Sequence, residues 1–321
     1  MKGAHKIGAA LVAVALGVTG VSAYADAEPS RETKMNSEPC AKGFLAVNGL
    51  QIYHEIYGER RRDEVPLVVL HGGLMTIPEM QPWIEPLART RQVVALELQG
   101  HGRTADTDRP LALETIGDDV AAVIDQLELG QADIAGYSFG ADVALRTAIQ
   151  HPDKVRRLVV ISTAFALRGW YPEAQAGMAS VDASLAETLK DTPTGRFAAE
   201  WPEPERFPKF LDKMGDMMAK SYDWTEEVKK LPMPVLLVYA DHDSVSQQHI
   251  ADFYALLGGG ISEPGWQNTK FTRARLAIIP GYSHYNFISA PEVAYTVAKY
   301  LRDPLDGTSG GPAAAASQTA P

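Results

Sequence analysis

The chain has one cysteine in 321 residues, Cys40, so no intrachain disulfide can staple it. Positive charge is also in short supply. Lys and Arg number 30 against 40 Asp and Glu, for a net charge of −10. That balance argues against a nucleic-acid partner, which would require a basic face. The most apolar stretch, residues 7–18, falls short of the roughly 20 residues a membrane-spanning helix needs, so no stable membrane anchor is expected. No grouping of Cys and His suggests a metal, and no internal repeat is visible. What is present is ordinary for a globular protein: 45% hydrophobic and 22% charged residues, in a chain long enough for a sizeable core.

The N-terminus reads as an export signal. Lys2 and Lys6 precede the apolar run, and Ala23-Tyr24-Ala25 supplies the small residues of a cleavage site. A signal peptide over residues 1–25 predicts an exported protein, periplasmic or secreted, that begins near Asp26. An uncleaved signal anchor is the competing reading. No Cys follows the cleavage point, so no lipoprotein anchor is expected. Residues 26–42 are polar and aperiodic and are expected to form a flexible lead-in. Residues 303–321, mostly Gly, Ala, Ser and Pro, are expected to be disordered.

Between these ends, short apolar runs alternate with amphipathic stretches. Phe44 to Tyr57 alternates around Asn48-Gly49, a strong hairpin signal. Val65–Leu70 is a continuous apolar run that suits a strand buried on both faces, and Val93–Leu98, the short run leading into Gly136, Arg157–Ile161, Pro234–Ala240 and Leu276–Ile279 read as further strands. Helical stretches separate most of them: Pro78 to Arg89, Thr115 to Leu127 with Asp118 and Asp119 on its polar side, Ala141 to Gln150, Gln247 to Leu257 and Pro291 to Arg302. This rhythm predicts an α/β fold with a mostly parallel, doubly wound sheet. It breaks from 164 to 230, where Trp170, Trp201 and Trp224 stand among Met178, Met214, Met217 and Met218. An insertion of that length reads as a helical lid, or alternatively as a subdomain with its own small core. The expected core is therefore 43–163 with 231–302.

The chemistry centres on Gly136-Tyr137-Ser138-Phe139-Gly140. A short strand leads in and a helix leads out, the context of a nucleophile elbow. Ser138 on so sharp a turn sits in a strained backbone that projects its hydroxyl outward, and side chains at 136 and 140 would strike neighbouring backbone. The helix that follows aims its N-terminal dipole at the spot where an oxyanion would form. A serine hydroxyl needs a base within reach, and histidine titrates near neutrality. Pro280-Gly281-Tyr282-Ser283-His284 follows the last strand and offers that base. Asp241-His242-Asp243 closes the strand before it and offers the acid, with periodicity unable to choose between the two aspartates. His242 is too constrained to reach Ser138 well. His71 and His101 lie on loops at the same sheet edge and are expected to brace them, while His54, His151 and His249 are expected to be solvated. Gly100-x-Gly102-x-x-Ala105 superficially matches a dinucleotide fingerprint, but polar, Pro-terminated residues 106–110 delay the next helix, so no nucleotide cofactor is expected.

With Ser, Asp and His in that chain order, the elbow between strand and helix, and His71-Gly72-Gly73-Leu74 after an earlier strand, residues 44–302 resemble the α/β-hydrolase fold family. The resemblance implies Ser138 as nucleophile, His284 as base and Asp243 as acid, three residues past the small Ala240. Asp241 is then a turn or capping residue, with Ser244 or Ser246 sharing the capping. The resemblance implies oxyanion donors at the N–H of Phe139 and of Gly73, with Leu74 the close alternative for the second. Leu74, Trp170 and Met178 are expected in the substrate pocket. It also implies an esterase-type hydrolase that acts on a small acyl substrate with water and needs no cofactor. The same triad could serve a perhydrolase or cofactor-free haloperoxidase-like reaction, and the fold could persist in a non-catalytic ligand-binding protein. Epoxide hydrolases and haloalkane dehalogenases of this fold place Asp at the elbow, so Ser138 points away from them.

Overall fold

The structure, a computed structural model, describes residues 38–62, 64–266 and 271–302. The expected signal peptide, residues 26–37 of the expected lead-in and the expected disordered tail lie outside the described residues.

A hairpin opens the fold. Strands β1 (Ala41–Val47) and β2 (Leu50–Tyr57) pair antiparallel around Asn48 and Gly49. Both turn residues have positive φ, 47° and 84°, which suits the right-handed twist of the two strands. β1 already contains Ala41 and Lys42, so the ordered fold starts two residues before the expected boundary.

Six parallel strands follow: β3 (Leu67–Leu70), β4 (Val93–Leu96), β5 (Ala132–Tyr137), β6 (Val155–Ile161), β7 (Val235–His242) and β8 (Ala274–Ser283). The sheet order is β1-β2-β4-β3-β5-β6-β7-β8, and β2 runs antiparallel to β4. Every residue of β3, β4 and β5 is buried, as both-face coverage requires; β3 and β4 are wholly apolar, and the one charged residue of β5, Asp133, is paired with Arg91 and Arg156. Helices α1 (Gln81–Ala88), α2 (Leu113–Gln126) and α3 (Phe139–Gln150) connect the central strands. α2 and α3 pack together on one face. On the other face α1 packs against the C-terminal helix, whose range Pro291–Arg302 matches expectation.

Residues 164–230 connect β6 to β7 through five helices: α4 (Pro172–Ala179), α5 (Ala186–Leu189), α6 (Pro193–Ala198), α7 (Arg206–Met218) and α8 (Thr225–Val228). Helix α9 (Gln247–Leu256) then leads from β7 toward β8, and α10 is the C-terminal helix already described. α7 turns Phe207, Phe210, Leu211, Met214 and Met217 inward, a helical stripe that the sheet-edge loops cover. The segment is tied down at several points. Thr194 Oγ1 donates to Leu74 O at 2.5 Å, Trp201 Nε1 to Gly102 O at 2.8 Å, and Lys213 Nζ to Asp106 Oδ2 at 2.8 Å.

Several details differ from the sequence reading. The fourth strand stops at Leu96, because Glu97 turns inward to hold the next loop. Its carboxylate accepts Arg103 N at 2.6 Å and the Arg103 guanidinium at 3.0 Å, and burial pushes its pKa up to about 7. This loop also accounts for the two fingerprint-like glycines. A Cβ on Gly100 would lie 2.1 Å from the Phe210 ring, and one on Gly102 2.2 Å from the Glu97 carboxyl. Asp119 is buried and not on a polar face, since the hairpin turn and the 105–111 loop close over it. Asn48 Nδ2 donates to it at 2.9 Å and Arg109 pairs with it. His54 and His249 are buried too, and burial lowers both pKa values. His54 lies on β2 between two paired strands. His249 faces inward on α9, stacked on Phe165 at 4.0 Å. His151 remains at the surface beside Asp118, at 2.8 Å.

Candidate active site

The elbow is where strand β5 becomes helix α3. Ser138 has φ 51° and ψ −119°, a positive-φ conformation that costs a non-glycine residue energy. Its N–H is held by Ile161 O at 2.8 Å. The flanking glycines are steric necessities. A Cβ on Gly136 would sit 2.1 Å from Gly140 O, and one on Gly140 would sit 2.4 Å from His71 O. Three chain segments therefore pack backbone to backbone at this point, which no side chain could share.

Ser138 Oγ lies 3.0 Å from His284 Nε2, and His284 Nδ1 lies 3.1 Å from Asp243 Oδ1. An ionised carboxylate only accepts, so Nδ1 carries the proton and Nε2 is left to accept from the serine hydroxyl. Asp243 is buried on four donors: His284 and Val245 N on Oδ1, Ser162 Oγ and Ala240 N on Oδ2. Burial alone would raise its pKa, but the bonds and charge of His284 together with Ser162 and Val245 outweigh it, and the net shift is downward. The imidazole is fixed from its sides as well. Tyr137 stacks on it at 5.7 Å and donates its hydroxyl to His284 O, while Trp170 meets it edge-on at 5.5 Å.

Asp241, the other aspartate, takes a different place. Its Oδ1 accepts Gly281 N at 2.9 Å and Tyr282 N at 3.3 Å, so it ties the end of β7 to the end of β8, just before His284. It caps no helix. Ser246 caps α9 by accepting His249 N at 3.3 Å.

The His71–Leu74 loop faces the elbow. Leu98 N donates to His71 Nε2 at 3.1 Å, so Nδ1 carries the hydrogen that Gly72 O accepts at 2.8 Å. Burial pushes this ring's pKa down to about 4, and the neutral imidazole braces the loop from beneath. His101 lies beside it, stacked on Phe139 at 5.4 Å. Neither histidine lines the pocket. A Cβ built on Gly73 would lie 3.5 Å from that of Phe139 and 2.8 Å from the Met214 methyl group. Among the described residues no acceptor takes the N–H of Gly73, Leu74 or Phe139. Phe139, as the first residue of α3, has no intrahelical partner available.

These groups surround one pocket. Ser138, His284, Gly73, Phe139, Leu74, Trp170 and Met178 all line it. About 110 Å³ lies open to the centres of water-sized molecules, against the roughly 10–15 Å³ that holds a single water. The sequence reading missed Met75, Tyr222 and Asp142 in its wall. Asp142 belongs to the first turns of α3, enclosed by protein yet partly open to the pocket. Burial pushes its carboxyl up to about 7, against the opposing bond from Thr163 Oγ1.

A mostly parallel eight-stranded sheet of this order, with Ser, His and Asp joined where its strands end, is the arrangement of a serine hydrolase. The chain has the α/β-hydrolase fold: residues 65–199 match the family model described as alpha/beta hydrolase fold. It is 25% identical over 248 residues to a pimeloyl-(acyl-carrier protein) methyl ester esterase of Nitrosomonas europaea, an alignment covering 70% of this chain and 91% of that protein. It is 36% identical over 103 residues to a 2-hydroxymuconate semialdehyde hydrolase of Pseudomonas sp. strain CF600, covering 31% of this chain but only 36% of that relative's length. Among solved structures, the carboxylesterase CesB of Bacillus subtilis has the same fold, with a TM-score of 0.61 at 20% identity, covering 82% of this chain and 91% of that one.

Proposed function

We propose that this protein is an exported serine hydrolase that cleaves carboxylic esters or related acyl compounds through an acyl-enzyme on Ser138. The observation that carries the reading is the unbroken hydrogen-bonded relay from Ser138 through His284 to Asp243 at the wall of a largely apolar pocket. Ser138 Oγ attacks the carbonyl carbon as its proton passes to His284 Nε2, and Asp243 stabilises the imidazolium that results. The N–H groups of Phe139 and Gly73 hold the oxyanion, each worth roughly 3 kcal/mol. Collapse of the tetrahedral intermediate breaks the ester C–O bond, and His284 returns its proton to the leaving alcohol. Water, deprotonated by the same ring, then releases the acid and restores Ser138. Supporting this reading, the Nitrosomonas relative aligned over most of its length is named a methyl ester esterase. The test is a fluorophosphonate probe followed by peptide mapping, alongside p-nitrophenyl esters of increasing chain length. Rapid labelling at Ser138 with ester turnover supports the reading. A protein that takes up no label and turns over no ester defeats it.

The 164–230 segment acts in this reading as the cover of the pocket. Trp170 and Met178 contribute its apolar wall, and methionine adapts to varied chains. Met178→Ala is expected to raise kcat/KM for longer acyl chains relative to short ones on the order of tenfold, as cutting back a hydrophobic pocket does. Trp170→Ala is expected to change both chain preference and kcat, because its ring also touches His284. Unchanged chain-length profiles in both variants would assign these residues to a separate packing core.

Export rests on the residue pattern at 2–25 alone. Mass spectrometry of protein from the extracytoplasmic fraction should find a first residue near Asp26. Soluble protein that keeps Met1 would refute this part of the proposal.

A further inference from the structure

The pocket wall contains one carboxyl group that the relay does not use. Asp142 Oδ1 accepts the Thr163 hydroxyl, and among the described residues nothing donates to its other oxygen. The hydroxyls nearby are committed elsewhere. Tyr222 OH takes Trp170 Nε1 at 2.9 Å and donates to Ala164 O at 3.3 Å, while Tyr239 OH donates to Thr163 O at 2.6 Å. No Lys or Arg lines the pocket, and Asp142 forms no ion pair among the described residues. The rest of the wall is dominated by methionine, aromatic and aliphatic side chains. A carboxyl oxygen enclosed in such surroundings is costly unless something donates to it. The protein leaves that position to whatever enters the pocket.

We propose that Asp142 is the specificity-determining residue of this pocket: its free oxygen accepts a hydrogen bond from an ammonium or hydroxyl group on an otherwise apolar substrate, and it turns away substrates that carry a carboxylate there. The proposal rests on the pocket being the substrate site of the hydrolase described above. An ammonium gains most, since it brings charge as well as donors to an unpaired carboxylate, and the aromatic rings of Trp170 and Tyr222 in the same wall favour a cation. A hydroxyl gains a hydrogen bond alone. A carboxylate meets like charge in a site without a cation to offset it.

The test measures binding, so it does not depend on turnover. Hexylammonium, hexanol and hexanoate are titrated calorimetrically at pH 8 into the wild-type protein and into Asp142→Asn. The wild type is expected to bind hexylammonium at least tenfold more tightly than hexanoate, with hexanol between them. In Asp142→Asn that ratio is expected to fall within threefold. A thermal melt checks that the variant is folded, and Asp142→Ala replaces it if it is not. Wild-type protein that binds hexanoate as well as hexylammonium overturns the proposal, as does a ratio that survives both substitutions or a pocket that takes neither hexylammonium nor hexanol. Fluorophosphonate labelling of Ser138 in the same preparation reports separately on the hydrolase reading.

Discussion

Ser138→Ala should lower ester hydrolysis by about 100,000-fold or more while the protein keeps its fold. The loss is large because Oγ is the atom that forms the covalent bond. Without it only the oxyanion donors and substrate binding remain, and they support a slow attack by water at best. The fold should survive because the substitution removes one partly buried hydrogen bond, to His284, and nothing else. The strain at φ 51° is already present in the wild type, and alanine keeps the Cβ that the turn already accommodates. Steady-state kinetics on p-nitrophenyl esters, with a thermal melt of the same sample, measure both halves. A folded Ser138→Ala protein that hydrolyses esters at near the wild-type rate would falsify the assignment of the nucleophile.

The second large effect separates the two aspartates. Asp243→Asn is expected to lower kcat by about 10,000-fold, because an amide in that place no longer enforces the His284 tautomer that leaves Nε2 free. The neighbours make the point sharper. Both carboxylate oxygens of Asp243 face donors, two on each. An asparagine has only one accepting oxygen, so in either orientation its NH2 confronts two donors. A stability loss of about 1–3 kcal/mol should accompany the loss of rate. Because the folded state holds the Asp243 pKa below its ordinary value, its contribution is present at neutral pH and fades as acid takes the pH down through the folded pKa. Asp241→Asn should behave differently. Its oxygen can still accept Gly281 N and Tyr282 N, so catalysis persists and the melting temperature drops only slightly. Kinetics in which Asp241→Asn is dead and Asp243→Asn is active would reverse the assignment.

Much of this arrangement was legible from local chemistry. Asn48-Gly49 announces its hairpin because few other pairs tolerate positive φ twice in succession. Gly136 and Gly140 mark the elbow because the close backbone contacts there leave no room for a Cβ. The unbroken apolar runs of β3 and β4 reveal strands covered on both faces. What stayed hidden depends on contacts between distant segments. Asp142 in the first turns of α3 reads as an ordinary acidic residue suited to the helix dipole, and only the distant residues that share the pocket wall with it make it unusual. Asp119 looks like surface charge until Arg109 and the hairpin turn close over it. His54 and His249 carry no local sign of burial, since histidine occurs on either face of a strand or helix.

The connections between the 164–230 segment and the rest of the site bear on timing. Thr194 holds the carbonyl of Leu74, and the Met214 methyl occupies the space beside Gly73. On the other side, Tyr171 N donates to Ser244 O at 3.0 Å and Ser246 N to Gly169 O at 2.8 Å, which clasps the loop that carries Asp243. The segment that lines the cavity is thus also a clamp on the His71–Leu74 loop and on the loop that carries Asp243. Any swing that widened the entrance would pull on those same bonds and loosen the parts that must be rigid when charge develops. Admission and reaction would then alternate: with its roof raised the site would be disarmed, and it would be rearmed only when the roof settled over its guest.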